Sequence, residues 1–150
     1  IPYKNIYANE LLEERVTALK ENFPNISVHS GNAMDLSFYR EFDVIFLSTV
    51  FTSITDDEFK KKMADKVFSM LKPGGIVLWY DFKYNNPRNK FVKGVGKEEI
   101  HKLFSEAVSM NFYNVTLAPP IGRRVGKLYN FINTLFPFLR SHIIAFIEKK

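Results

Sequence analysis

The sequence predicts an α/β fold built on an open parallel sheet, and three observations carry that expectation. Short apolar stretches alternate with amphipathic ones between Asn5 and Tyr80, the rhythm of strand–helix–strand units whose right-handed crossovers place helices on both faces of a sheet. Phe42-Asp43-Val44-Ile45-Phe46-Leu47 is a nearly continuous apolar run, as a parallel strand buried on both faces requires. Polar, turn-forming stretches then follow the strands at 29–35, at 48–54 and from Asp81 onward. Those are the positions where such sheets bind ligands.

The elements follow in order. Asn5-Ile6-Tyr7-Ala8-Asn9 is a short β-favouring stretch closed by Glu10, and Leu11, Val16 and Leu19, with Arg15 and Lys20 outward, predict an amphipathic helix. Phe23-Pro24-Asn25 breaks it, and Ile26-Ser27-Val28 is a second strand leading into the loop His29-Ser30-Gly31-Asn32-Ala33-Met34-Asp35. After the third strand, Thr55-Asp56-Asp57-Glu58 reads as a capping box with Thr55 as N-cap. The helix it opens carries Phe59, Met63, Val67, Met70 and Leu71 inward and Lys60, Lys61 and Lys62 on its solvent side. Lys72-Pro73-Gly74-Gly75 stops this helix and turns the chain into the strand Ile76-Val77-Leu78-Trp79-Tyr80. A long polar loop from Asp81 to Lys90, a helix from Lys97 to Phe104 and a strand from Asn111 to Leu117 come next. Residues 121–136 form a basic, then aromatic, helical insertion, and Ser141 to Ile147 is the last strand.

Length and composition bound the rest. With 150 residues the chain has room for one domain, and 15 Phe with seven Tyr supply enough aromatic volume for a sizeable core. The absence of Cys removes disulfides, thiolate metal sites and cysteine nucleophiles, and three scattered His do not make a metal site. A net charge of +5 is mild, and its basic residues are too dispersed for a nucleic-acid interface. No leader pattern opens the chain, so a cytoplasmic location is expected. Leu128 to Ile147 is the most lipophilic stretch, but Asn130, Asn133, Pro137, Arg140, Ser141 and His142 interrupt it. That is a poor membrane span; it reads as an amphipathic helix and a core strand, or as a surface patch that meets a lipid-linked substrate.

A carboxylate ending a strand accepts two hydrogen bonds from a ribose diol, which suits Glu10. The same carboxylate also suits the start of the following helix. The series Ile6-Tyr7-Ala8-Asn9-Glu10-Leu11, then Gly31-Asn32-Ala33-Met34-Asp35-Leu36, then Phe42-Asp43-Val44-Ile45, then Leu71-Lys72-Pro73-Gly74-Gly75 resembles the class I S-adenosylmethionine-dependent methyltransferases along nearly the whole chain. The tail with Asp81, Tyr84, Asn85, Asn86, Pro87, Arg88 and Leu117-Ala118-Pro119-Pro120 resembles a branch found near bacterial surface polysaccharide genes.

The resemblance implies a Rossmann-like sheet, mostly parallel with an antiparallel C-terminal strand, and S-adenosylmethionine as cofactor. It implies that Glu10 holds the ribose, that Leu11 lies beside the adenine, and that Asn32 faces the adenine amine where the family usually has Asp. Ala33 supplies backbone contacts, Met34 packs, and Ser48 lies close to the methionine part. The first, central strand with its Gly-rich turn and first helix would precede Ile1. The chain is therefore expected to be a single, N-terminally incomplete domain, inactive alone and completed by upstream residues, a second copy or another chain.

Methyl transfer from a sulfonium gains its rate from alignment and water exclusion, so no nucleophile is required. For a small-molecule or glycan-related hydroxyl acceptor a base helps, and Asp81 is the first choice, with Tyr84 and then His101 behind it. Arg88, Lys90, Arg123 and Arg124 suit a basic rim for an anionic acceptor, or a solvated face. Trp79, Tyr80 and Tyr84 suit stacking on a sugar, although a Trp within a strand suits the core. His29 and His142 fit strand-end and core-edge positions. A catalytically inactive methyltransferase-like binding module and an NAD-type Rossmann protein are the competing readings.

Overall fold

A computed structural model describes residues 1–87 and 89–150. Arg88, named above for a basic rim, lies outside the described residues. The strands form two separate sheets, one in each of two compact units, Ile1–Phe38 and Tyr39–Lys150.

The first unit contains β1 (Tyr7–Glu10), α1 (Glu13–Asn22) and β2 (Ser27–Ser30). The two strands are parallel, paired from Tyr7 with Ser27 to Glu10 with Ser30. This pairing draws His29 and Ser30 out of the expected loop and into the strand. At the other end, a 3-10 turn over Tyr3–Asn5 takes the first residues of the expected strand, closed by the Ile6 amide on the Tyr3 carbonyl at 2.9 Å. Helix α1 starts two residues later than expected because the Glu10 side chain, not a helical turn, takes the Leu11 and Leu12 amides. Its Val16 is buried, and Tyr7, His29 and Phe38 form an aromatic cluster with ring separations of 5.1 to 6.1 Å.

The second unit contains β3 (Phe42–Ser48), α2 (Asp57–Met70), β4 (Leu71–Phe82), α3 (Lys97–Leu103), β5 (Ala107–Leu117), α4 (Pro119–Val125), α5 (Tyr129–Leu135) and β6 (Arg140–Lys149). Its sheet has the order β3-β4-β6-β5, with β3 parallel to β4 and β6 antiparallel to both neighbours. Val77, Trp79 and Asp81 of β4 and Ile143, Ala145 and Ile147 of β6 alternate onto one buried face. There Trp79 packs on Phe51 at 4.6 Å and Phe104 at 6.0 Å, and Phe104 on Phe68 of α2 at 5.0 Å. Each such ring contributes roughly 1.5–3 kcal/mol through burial, which makes this cluster the main source of cohesion in the unit.

Four expectations are corrected here. Asp56, not Thr55, caps α2: its Oδ1 accepts from the Phe59 amide at 2.7 Å, the acceptor-to-N3 reach that defines a cap. Lys60 is not on the solvent side but 1% exposed, because its ammonium meets Glu99 at 2.7 Å and Asp57 at 3.8 Å. Strand β3 lies at the edge of its sheet, with Val44 53% and Phe46 62% exposed, rather than buried on both faces. Strand β4 begins at Leu71 and ends at Phe82, taking in both the Pro-Gly-Gly turn and Asp81. The turn survives as an irregularity, with Gly74 at φ +73° and a register shift between Phe42 and Val44. The helical insertion divides into α4 and α5 at Gly126, whose φ of +48° a residue with a side chain rarely adopts.

Candidate functional site

In the first unit the strand ends collect the residues expected to hold a nucleoside. Glu10 and Ser30 end the two parallel strands as register partners, and the Gly31 amide donates to the Glu10 carbonyl at 2.9 Å. Asn32, Ala33 and Met34 therefore begin directly beyond Glu10's neighbour. Asn9, which sequence reasoning passed over, holds this loop to β1: its side-chain amide donates to the His29 carbonyl at 3.2 Å and the Gly31 carbonyl at 3.0 Å. A strand-end Asn carries no signal that distinguishes such a brace from a turn former.

The Glu10 carboxylate is asymmetric. Oε1 accepts from the Leu11 amide at 2.8 Å and the Leu12 amide at 3.0 Å, while Oε2 lies 3.7 Å from the Arg15 guanidinium. These amides, Leu12 first, together with Arg15, hold its pKa below the usual carboxylate value despite some desolvation. The helix-start amides are thus taken by one oxygen, and Oε2 keeps acceptor capacity for a further donor such as a diol. Asn32 Oδ1 accepts from the Met34 amide at 3.0 Å, capping the 3-10 turn over Ala33–Asp35. Its carbonyl oxygen retains a second lone pair for an exocyclic amine, and its amide supplies donors. Leu11 stands exposed beside Glu10.

In the second unit the ends of β3 and β4 meet. Ser48 pairs in register with Tyr80, and the next residue, Thr49, donates its amide to the Tyr80 carbonyl at 2.9 Å. Thr49 holds φ at +54°, a strained conformation for a β-branched residue and the kind that clusters at functional sites. Asp81 is 1% exposed. Its Oδ1 accepts from the Thr52 hydroxyl at 2.6 Å and the Phe82 amide at 3.0 Å, and its Oδ2 from the Thr52 amide at 3.2 Å. Burial raises its pKa, outweighing these donors.

The other face of β4 carries a group the sequence did not reveal. The rings of Tyr80 and His142 stack 5.2 Å apart, the Tyr80 hydroxyl lies 3.2 Å from Thr116 Oγ1, and Thr116 holds φ at +55°. Burial keeps the His142 pKa low, against the pull of the Asp81 charge and a hydrogen bond with the Thr116 backbone. His142 was readable as a core-edge residue. Its stacking on Tyr80 depends on the antiparallel register of β4 and β6, which no local pattern encodes.

Trp79 lies in the core, so it is removed from any stacking role. Tyr84 is exposed, with the Lys83 ammonium 5.0 Å from its ring centroid. The exposed residue His101 is 5.1 Å from Phe112 and lies on α3. A cleft of about 610 Å³ in this unit is lined by Asp57, Lys60, Lys93, Glu99 and Lys102, among others. The ion pairs among these side chains read it as a salt-bridged groove between α2 and α3 rather than as the strand-end site.

Comparison with known proteins follows the same lines. The fold is shared with a methyltransferase of Methanosarcina mazei at 14% identity and a TM-score of 0.69, covering 95% of this chain and 81% of that one. A methyltransferase of Thermotoga maritima matches at 14% identity and a TM-score of 0.74, covering 96% and 72%. The N-methyltransferase NodS of Bradyrhizobium japonicum, solved with S-adenosyl-L-homocysteine, matches at 13% identity and 0.66, covering 96% and 66%. No curated protein matches by sequence. Residues 2–75 match the family model of a methyltransferase domain. The chain thus shares the fold of S-adenosylmethionine-dependent methyltransferases and, over just under half of its length, the sequence pattern of a methyltransferase domain. The matched segment runs from before β1 to the Gly-Gly turn of β4, and so includes Glu10, the Asn32 loop and Ser48.

Proposed function

We propose that this chain is an S-adenosylmethionine-dependent methyltransferase that transfers a methyl group to a hydroxyl of a small-molecule or glycan-related acceptor. One observation carries the cofactor half: Glu10 stands at the carboxyl end of β1 with one oxygen anchored by two backbone amides and the other left to accept. A carboxylate fixed in this way is preorganised for a vicinal diol, since little side-chain entropy remains to be lost on binding. When bound, S-adenosylmethionine supplies an electrophilic methyl group on a sulfonium.

Leu11 offers an apolar surface to the adenine, Asn32 an amide to its exocyclic amine, Ala33 its backbone, and Met34 packing. Ser48, at the end of β3, serves the methionine part. On the acceptor side, Asp81 is the proton acceptor: burial raises its proton affinity, and because it is closed from solvent and held by Thr52, an acceptor hydroxyl reaches it by displacing the Thr52 hydroxyl from Oδ1. Tyr84, exposed and carrying the Lys83 ammonium against its ring, supplies a stacking surface for a sugar.

The test is transfer of labelled methyl from S-adenosylmethionine by the full chain to hydroxyl-bearing sugars and nucleotide sugars, read by mass spectrometry. Labelled product that fails to form with Asp81→Asn supports the reading. Cofactor binding without transfer to any acceptor supports a binding module instead.

A further inference from the structure

We propose that α4, α5 and the turn after them form a surface that docks on an anionic lipid bilayer. The inference is independent of the methyl-transfer reading. On α5 and its flanks, Leu128, Phe131, Leu135 and Phe138 are each more than half exposed. The spacing of the first three, three and then four residues, puts them on one face of a helix. The opposite face is committed inward: the Tyr129 hydroxyl accepts from the Leu117 amide at 3.1 Å, and the Asn133 carbonyl accepts from Arg140 at 2.7 Å. The outer stripe is therefore a surface that the unit itself does not cover. The partly exposed Phe136 ring packs edge-on against Phe138 at 5.8 Å, extending it.

Charge selects the partner. No Asp or Glu occurs between Glu106 and Glu148, whereas Arg123, Arg124 and Lys127 are all exposed at the start of the segment. Arg140 is spent on Asn133 and Asn114 and does not count. Exposed aromatic and leucine side chains beside unneutralised basic residues match the two components of interfacial binding, apolar insertion to headgroup depth and attraction to anionic headgroups. A second copy of the chain meeting the same patch across a two-fold axis would set like charges against each other. Among the described residues no helix is long and apolar enough to cross a membrane, so the surface lies on the bilayer rather than spanning it.

Co-sedimentation of the full chain with vesicles of phosphatidylcholine alone, or mixed with an equal part of phosphatidylglycerol, tests this. The proposal expects binding to the mixed vesicles and weak or no binding to the neutral ones. Each basic residue near an anionic leaflet is worth on the order of fivefold in affinity. Arg123→Gln, Arg124→Gln and Lys127→Gln together should therefore weaken binding about 100-fold. Phe131→Ser with Phe138→Ser, exposed positions whose loss leaves the circular dichroism unchanged, should weaken it at least about tenfold even at low salt. Equal binding by the aromatic variant, equal binding to both vesicle types, or concentration-dependent self-association abolished by the same substitutions would overturn the proposal.

Discussion

Thr52 donates twice to Asp81, through its hydroxyl to Oδ1 at 2.6 Å and its backbone amide to Oδ2 at 3.2 Å. The pair joins the turn after β3 to the end of β4, and it keeps a carboxylate in a site where burial raises its pKa above 3.8.

A pH-dependent prediction follows from that direction. The ionised form of Asp81 is disfavoured in the folded chain, so its cost is present at neutral pH and is relieved as pH falls through the folded-state pKa toward 3.8, below which both states are protonated. Asp81→Asn removes this titration. The stability difference between wild type and the variant, from urea unfolding at several pH values, should shift in favour of wild type as pH drops from about 7 toward 4. A constant difference would contradict the raised pKa. Thr52→Val removes one donor and should cost about 1–3 kcal/mol.

Lys60 and Glu99 make the second prediction. Glu99→Gln leaves a buried ammonium whose remaining ion-pair partner among the described residues is Asp57, at 3.8 Å and shared with Lys93. Glu99 keeps contact with solvent, so the loss should be roughly 1–3 kcal/mol, below that of a fully buried broken pair. Lys60→Met removes the charge and should cost less than Glu99→Gln. Thermal unfolding of both single variants and the double variant checks this, the double lying closer to wild type than Glu99→Gln alone.

Gly94 makes the third. A Cβ there would lie 2.5 Å from the Tyr84 carbonyl carbon and 2.7 Å from its nitrogen, backbone atoms that cannot rotate away. The chain closes at this point: the Gly94 amide donates to Asn85 Oδ1 at 2.9 Å and the Val95 amide to the Phe82 carbonyl at 3.0 Å. Gly94→Ala should destabilise by at least about 1–3 kcal/mol. It should also depress methyl transfer more than cofactor binding, because Tyr84 is displaced. Denaturant midpoints and a comparison of kcat with cofactor affinity check both.

What the sequence made legible was whatever is local. The apolar run at Phe42–Leu47 marks a strand, the Lys72-Pro73-Gly74-Gly75 stretch marks the end of α2 to within two residues, and Glu10 with Leu11, like Asn32 with Met34, sits within a few residues of its own strand end. What it concealed depends on partners far along the chain. Lys60 reads as a surface lysine until Glu99, 39 residues later, is brought to it. Thr52 and Asp81 are 29 residues apart, and nothing around Thr52 announces a carboxylate partner. Asp56 and Thr55 are adjacent and both good caps, so only the backbone decides between them. The exposure of Val44 and Phe46 was also hidden, since hydrophobicity sets what a strand prefers to bury and pairing sets whether it lies at an edge.

The most direct test of the account is titration calorimetry of the full chain with S-adenosylmethionine, comparing wild type, Glu10→Gln and Glu10→Ala. Gln keeps an acceptor for the Leu11 and Leu12 amides, whereas Ala removes both that cap and the ribose contact. Hydrogen bonds to a charged group are worth about 1.5–3 kcal/mol each. The account therefore predicts that wild type binds, that Glu10→Ala binds at least about tenfold more weakly, and that Glu10→Gln lies between them. No binding by wild type, or equal affinity in wild type and Glu10→Ala, would contradict it.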